Sequence, residues 1–182
     1  MTRYFLDTSA LVKHYHNELG TDAVDRIIGE AGAELLIARL TLVETISVFA
    51  IKVRTEEFDV LEFARLRALF ATHIARRRYQ VFRLLNVHFV RARELIANHG
   101  FQRQVRTLDA LQLSVALQLH QTAPIDHVVC ADQRLCEITA HEGLAVVNPE
   151  FPQESAPWSR DGGNQRTRGS MSRNSRRDIT SR

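Results

Sequence analysis

Four acidic residues stand where predicted strands give way to predicted helices. Asp7 directly follows the apolar triplet at 4–6, and Asp132 follows a strand-like run at 127–130. Glu44 and Asp109 each lie in the first turn of a predicted helix. In a parallel sheet, the carboxyl ends of the strands and the helices that follow them share one edge, where ligands bind. Topology therefore predicts that Asp7, Glu44 and Asp132 meet at that edge, and Asp109 joins them if its helix has the same polarity.

Carboxylates gathered beside apolar residues repel one another and raise each other's pKa. A divalent cation relieves that repulsion, and ligation by oxygen with retained water suits Mg²⁺ or Mn²⁺ rather than zinc. Such an ion lowers the pKa of a bound water and neutralises charge on a phosphate. The four acids therefore predict a catalytic metal site that hydrolyses a phosphodiester.

Most of these acids also have a purely structural explanation. Thr41 and Glu44 have the spacing of a capping box, in which the glutamate bonds back to the cap residue. Asp132 fits a plain helix N-cap, and Asp109 could simply complement a helix dipole. Asp7 has a less obvious structural use, because it directly follows a buried strand. Ser9 is the predicted cap of the helix after it.

Strand and helix patterns alternate along residues 1–151. Strands are predicted at 4–6, 34–38, 80–84, 127–130 and 144–147. Helices are predicted at 10–16, 20–29, 42–54, 59–78, 87–98, 108–119 and 132–143. Thr41 and Thr107 are the predicted caps of two of these helices, and His99 with Gly100 is a stop signal for another. This alternation indicates an α/β domain with a mostly parallel sheet of four to five strands and helices on both faces.

Charge and cysteine content narrow the class of protein. Residues 152–182 carry seven arginines and three acids, so the basic charge belongs to this tail, and residues 1–151 have a net charge of about −1. The tail has few apolar groups, which predicts disorder.

Cys130 and Cys136 form no zinc or disulfide pattern, which suits a reducing cytoplasm. No apolar run reaches the roughly 20 residues of a membrane helix, and the N-terminus does not read as a signal peptide.

Basic residues near the predicted edge are candidates for gripping a nucleic-acid backbone. They are Lys13, placed on a helix, and Arg39, Arg103 and Arg106, placed in loops. For Lys13 there is a structural alternative, because a lysine on a helix surface is more often simply solvated. His14 and His16 lack the i, i+4 spacing of a metal site and are not predicted to be ligands.

The chain resembles the PIN-domain family, and within it the VapC-type toxins of bacterial toxin–antitoxin pairs. The resemblance covers roughly residues 3–149 and follows the expected order. Its blocks are Asp-Thr-Ser at 7–9, Thr-Leu-Val-Glu at 41–44, Arg-Thr-Leu-Asp-Ala-Leu-Gln-Leu at 106–113, Ala-Asp-Gln-Arg-Leu at 131–135 and Val-Val-Asn-Pro at 146–149.

This resemblance implies a three-layer α/β/α fold and a Mg²⁺- or Mn²⁺-dependent endoribonuclease. It assigns metal-site roles to Asp7, Glu44, Asp109 and Asp132, with the Ser9 hydroxyl in support. It also implies a cognate antitoxin protein that inserts near the acids, and a homodimer. One departure is Cys130, which stands where many relatives have threonine or serine.

Other functions stay open at this point. The same fold could bind RNA or a partner protein without cleaving anything. A phosphohydrolase of the haloacid-dehalogenase type would form an aspartyl-phosphate, but it places a second acid two residues after its nucleophile, where this chain has Ser9. Cleavage of DNA rather than RNA is a further alternative, because a metal centre does not itself select the sugar.

Overall fold

The computed structural model describes residues 1–151, which contain five strands and seven α-helices. The strands are β1 (Arg3–Leu6), β2 (Glu34–Ala38), β3 (Gln80–Phe82), β4 (His127–Val129) and β5 (Val146–Val147). The helices are α1 (Thr8–Leu11), α2 (Thr21–Gly29), α3 (Arg39–Arg54), α4 (Val60–Ala75), α5 (Asn86–Arg103), α6 (Thr107–Thr122) and α7 (Gln133–His141). None of these helices has the length and hydrophobicity needed to cross a bilayer. The tail predicted to be disordered, residues 152–182, lies outside this range.

All strand pairs are parallel, and the sheet order is β3-β2-β1-β4-β5. The predicted α/β fold with a mostly parallel sheet is therefore confirmed, with five strands. From β1 the chain moves outward through β2 to β3, and it then returns to the other side of β1 to form β4 and β5. This reversal makes a topological switch point between β1 and β4, which is where open parallel sheets bind ligands at the carboxyl edge.

The sheet separates two hydrophobic cores, because successive side chains of a strand point to opposite faces. On one face, Tyr4 and Leu6 of β1 pack with α1 to α4. On the other face, Phe5 of β1 packs with α5, α6 and α7. β2 alternates in the same way, with Leu35 and Ile37 in the first core and Leu36 in the second. The arrangement is the three-layer α/β/α fold that the resemblance implied.

Two helices near the carboxyl edge begin earlier than predicted. α1 begins at Thr8 with Asp7 as its N-cap, so the predicted cap Ser9 is wrong. α1 is also short, and the rest of the predicted helix is a 3₁₀ turn at Val12–His14. α3 begins at Arg39 directly after β2, which leaves Thr41 inside the helix rather than at its cap.

The helix predicted to stop at His99 and Gly100 continues to Arg103. His99 is buried and bonded to Glu142, and a tertiary contact of this kind outweighs the local tendency of glycine to end a helix. The helix ends only at Gln104, which adopts a left-handed conformation with φ of 50°. Arg103 is therefore helical and not in a loop. The next helix, α6, has Arg106 as its cap and Thr107 as its first residue.

Candidate metal centre

Asp7 occupies the carboxyl end of β1 and is only 5% exposed. Its backbone N–H donates to the carbonyl of Val129 in β4 at 2.9 Å, which holds it beside the switch point. Its Oδ2 accepts bonds from the Ser9 backbone N–H at 2.9 Å and from Ser9 Oγ at 2.6 Å. Burial raises the pKa of Asp7 to about 6; the Ser9 bonds oppose this shift, and the charges of Glu44 and Asp109 add to it.

Ser9 connects the ends of β1 and β4. Its hydroxyl donates to Asp7, and the same oxygen accepts from the Ala131 backbone N–H at 3.0 Å and, more weakly, from the Asp132 N–H at 3.4 Å. One side chain thus fixes the position of Asp7 relative to the loop that carries Asp132. The supporting role in a metal site that the resemblance implied for Ser9 stays a prediction.

Glu44 reaches the same edge from the second turn of α3, later in the helix than predicted. It does not bond back to Thr41, so the capping-box explanation is wrong. Its Oε2 accepts from Thr8 Oγ1 at 2.8 Å and from Gln112 Nε2 at 2.6 Å. The carboxylate is therefore held by α1 and α6 and not by its own helix.

Gln112 holds these elements together and was not identified from the sequence. It is 2% exposed, and its Nε2 also lies 2.7 Å from Thr8 Oγ1. Its Oε1 accepts from Thr41 Oγ1 at 3.0 Å. A buried amide whose donors and acceptor are all engaged gives a unique arrangement of α1, α3 and α6. The available signal was a glutamine inside the apolar run of α6, but the same helix also contains Gln118 and Gln121.

Asp109 lies in the first turn of α6, half-buried at the same edge. A helix that leads into a parallel strand runs opposite to that strand, so the start of α6 lies at the carboxyl edge of β4. Burial raises the pKa of Asp109 to about 6, the charges of Asp132 and Glu44 raise it further, and the Arg106 guanidinium opposes the shift. Asp109 therefore interacts electrostatically with Glu44 and Asp132. Asp7 interacts in the same way with Glu44 and Asp109.

Asp132 is the N-cap of α7. Its Oδ1 accepts from the backbone N–H groups of Arg134 at 2.9 Å and Leu135 at 3.1 Å. The structural explanation for this residue is therefore confirmed, but it accounts for only one oxygen. The other oxygen, Oδ2, lies 3.9 Å from Arg106 Nη1, and the side chain as a whole is 29% exposed.

The same division of roles recurs in three of the four acids. Hydrogen bonds hold Oδ2 of Asp7, Oε2 of Glu44 and Oδ1 of Asp132. Among residues 1–151, no hydrogen bond reaches the second oxygen of any of these carboxylates. Fixing one oxygen orients the other, which is how proteins prepare carboxylates for a cation.

The four acids interact through their charges, but their oxygens do not form a tight cluster. In the described part of the chain, no three of the four acids bring their oxygens within 4.8 Å of one another. Mg²⁺ dehydrates reluctantly, keeps several waters and is commonly bound directly by one or two carboxylates. The four-acid site therefore fits a partly hydrated divalent ion better than a tightly enclosed one.

Of the basic residues predicted to bind RNA, Arg106 is the best placed. It is exposed and, with Asp132, Gln133, Arg134 and Glu137, lines a cleft of about 490 Å³. Arg39 is exposed at the start of α3.

Lys13 and Arg103 have other partners. Lys13 is 4% exposed, and its Nζ bonds to Glu150 at 2.7 Å and Glu18 at 3.3 Å, a placement that does not favour contact with RNA. Arg103 lies at the end of α5, with Nη1 3.4 Å from His99 Nδ1.

Cys130 is a core residue. It is fully buried, and its Sγ lies 2.7 Å from Cys136 Sγ. It gives Asp132 no hydroxyl partner, and the geometry of Asp132 instead depends on the backbone of α7 and on Ser9.

The fold and the site together define a class: an α/β domain with acidic side chains gathered at the switch point of a parallel sheet. The family model described as PIN domain matches residues 4–141. The chain belongs to the PIN domain family. This is a nuclease-type fold, and PIN domains typically use divalent metals.

Among solved structures, the crystal structure of PAE2754 from Pyrobaculum aerophilum is similar to this chain. The two share 16% sequence identity with a TM-score of 0.49, and the match covers 75% of this chain and 79% of that one. No curated protein matches the sequence.

Proposed function

We propose that this PIN domain is a cytoplasmic endoribonuclease that depends on Mg²⁺ or Mn²⁺ and acts as the toxin of a toxin–antitoxin pair. The observation that supports the nuclease best is the division of roles in Asp7, Glu44 and Asp132. Each has one oxygen held by the protein, while within residues 1–151 the other accepts no hydrogen bond. Three carboxylates oriented in this way at one sheet edge have little use in a protein that binds no cation.

The donor set is hard oxygen, which suits Mg²⁺ and Mn²⁺ and not a metal that prefers nitrogen or sulfur. Asp7 Oδ1, Glu44 Oε1 and Asp132 Oδ2 would hold the ion, in part through the waters that it retains, with the Asp109 carboxylate beside them. When bound, such an ion lowers the pKa of a water and neutralises negative charge on a phosphate.

The protein's own residues position these groups before substrate arrives. Ser9 fixes the Asp7 carboxylate and the Asp132 loop together. Thr8 and Gln112 fix Glu44, so that the second oxygen keeps one direction. Arg106 offers a guanidinium beside Asp132, where it can bind a phosphate oxygen of the RNA backbone.

The choice of RNA and the toxin role depend on the resemblance to VapC-type toxins in the blocks at 106–113 and 131–135. A cognate antitoxin that covers the acids and a second copy of this chain are proposed as partners on the same ground.

RNA cleavage is the direct test. Purified protein is incubated with single-stranded RNA in Mg²⁺, in Mn²⁺ and in EDTA, with single-stranded DNA in parallel. We expect cleavage of RNA that stops in EDTA, and a loss of at least about 100-fold in the Asp7→Asn and Asp109→Asn variants. Asp22→Asn is the matched control, because Asp22 is exposed in the first turn of α2.

Two results would contradict the proposal. Full activity in either acid variant would remove that residue from the mechanism. Tight RNA binding without cleavage in either metal would favour a silent PIN-fold binding module, and cleavage of DNA alone would reassign the substrate.

A further inference from the structure

A second group of metal-ligating side chains lies at the far end of α7. His99 belongs to the last part of α5, His141 is the last residue of α7, and Glu142 is the C-cap of α7. One ligand atom from each of these residues lies within 4.8 Å of the others. Glu142 is ten residues beyond Asp132, or about 15 Å along the helix at about 1.5 Å per residue. This group is therefore separate from the acids at the sheet edge.

The three residues are held in place by the packing of α5 on α7. His99 is 3% exposed, and its Nε2 lies 2.7 Å from Glu142 Oε1. The rings of His99 and His141 approach edge-to-face, with centroids 4.9 Å apart. Arg91 Nη2 donates to Glu142 Oε2 at 2.8 Å, which fixes the carboxylate with Oε1 toward His99. His141 is exposed, so an ion can reach the group from solvent.

This donor set differs in kind from the four acids. Two imidazoles and a carboxylate suit zinc, with bond lengths of about 2.0–2.2 Å and a water as fourth ligand. A tetrahedral ion with such bonds separates its ligand atoms by about 3.4 Å. His99 Nε2 and Glu142 Oε1 are closer than this, at 2.7 Å, and the other ligand-atom distances are at most 4.8 Å. Small side-chain rotations would therefore bring the three atoms to the spacing that zinc requires.

We propose that His99, His141 and Glu142 bind Zn²⁺ and that the ion ties α5 to α7. Binding through His99 Nε2 requires the ring proton on Nδ1, so the Arg103 guanidinium, 3.4 Å from that nitrogen, turns away. The ion stabilises the end of the helix whose first turn is capped by Asp132. It is a structural cross-link and takes no part in the reaction at the sheet edge.

The test uses the full chain, stripped of metal with a chelator and then desalted. Zn²⁺ is titrated in competition with a chromophoric chelator, and Co²⁺ is used as a coloured substitute. His141→Gln is the main variant, because His141 is exposed and its loss leaves the buried His99 in place. His14→Gln is the matched control: His14 Nδ1 lies 2.6 Å from Asp25 Oδ1, so it is a histidine–carboxylate pair outside the cluster. Asp7→Asn reports on any zinc held by the four acids.

We expect the wild type to bind one more equivalent of Zn²⁺ than His141→Gln, and His14→Gln and Asp7→Asn to keep that equivalent. Bound Co²⁺ should absorb strongly in the visible range, as a low-coordinate nitrogen-ligated ion does, and the band should be missing in His141→Gln. At a hundredfold excess of Zn²⁺ over its Kd, the melting temperature of the wild type should rise by about 5–10 °C more than that of His141→Gln.

Equal zinc binding by the wild type and His141→Gln would overturn the proposal. So would loss of the same equivalent in Asp7→Asn, because the ion would then belong to the acids. Neither result depends on RNA cleavage, so the zinc site and the proposed nuclease activity can fail separately.

Discussion

Replacing Asp7 with asparagine is expected to stabilise the metal-free domain at neutral pH. Asp7 is almost fully buried, and burial together with the charges of Glu44 and Asp109 raises its pKa from 3.8 to about 6. A difference of this size between folded and unfolded states makes ionisation cost about 3 kcal/mol more in the folded protein. Asparagine keeps the shape and an oxygen for the Ser9 bonds but carries no charge, so this cost disappears.

The pH dependence follows from the direction of the shift. The folded state holds the Asp7 proton more tightly than the unfolded state, so the wild type loses stability as the pH rises from about 4 through about 6. Asparagine at this position does not titrate and escapes that loss. Its advantage should be about 1 kcal/mol at pH 4.5 and about 3 kcal/mol at pH 7.5.

Urea denaturation in EDTA at these two pH values measures the effect, with Asp22→Asn as an exposed control. The unfolding free energy of Asp7→Asn should exceed that of the wild type mainly at pH 7.5, and Asp22→Asn should differ little from the wild type at either pH. Millimolar Mg²⁺ should stabilise the wild type more than Asp7→Asn. A less stable Asp7→Asn at pH 7.5, or an equal gain at both pH values, would refute the electrostatic argument.

Three further predictions concern the same edge of the sheet. Gln112→Ala should lower the unfolding free energy by about 2–4 kcal/mol, because Thr41 and Glu44 lose a buried partner. Thermal melting against the exposed Gln121→Ala control checks this, and equal melting temperatures would contradict it. Arg106→Ala should weaken RNA binding to a similar extent for all RNA sequences. It should also reduce the slope of log affinity against log salt concentration by about 1. An unchanged slope would exclude a contact between Arg106 and a phosphate. The affinity for Mn²⁺ should fall as the pH drops through about 6, where Asp7 and Asp109 take up protons. Calorimetric titration at pH 5 and 7.5 measures this, and a constant affinity would count against ligation by these two acids.

The sheet could be predicted because each of its strands corresponds to a short, mostly apolar run of residues in the sequence. The apolar run at 35–38 comes after Gly32 and Glu34 and leads into a helix, and the structure has β2 at Glu34–Ala38. The alternation of such runs with helices was enough to predict a parallel sheet. The positions of Asp7 and Asp132 then followed from topology, since a residue just after a parallel strand has only one edge to occupy. The position of Asp109 depended on the polarity of its helix, which the sequence left open.

Features that depend on distant contacts were not predictable in the same way. The spacing of Thr41 and Glu44 matches a capping box, but α3 begins at Arg39, and Thr8 and Gln112 bind the side chain of Glu44 instead. Gly100 looks like a helix stop, yet α5 passes through it because His99 is held by Glu142. In both cases a partner distant in sequence decides between two locally acceptable arrangements.

The structural and the functional explanations of these acids are not exclusive. A carboxylate has two oxygens, and capping or positioning bonds use only one of them. At Asp132 the backbone of α7 takes Oδ1, and at Asp7 the first turn of α1 takes Oδ2. Because one oxygen is held by hydrogen bonds, the second oxygen is kept in one direction. The hydrogen bonds that cap a helix therefore also orient an oxygen that can bind a metal. A sequence pattern typical of an N-cap at the carboxyl edge of a parallel sheet therefore does not argue against a metal site, since helix capping is one way in which such a site can be kept rigid.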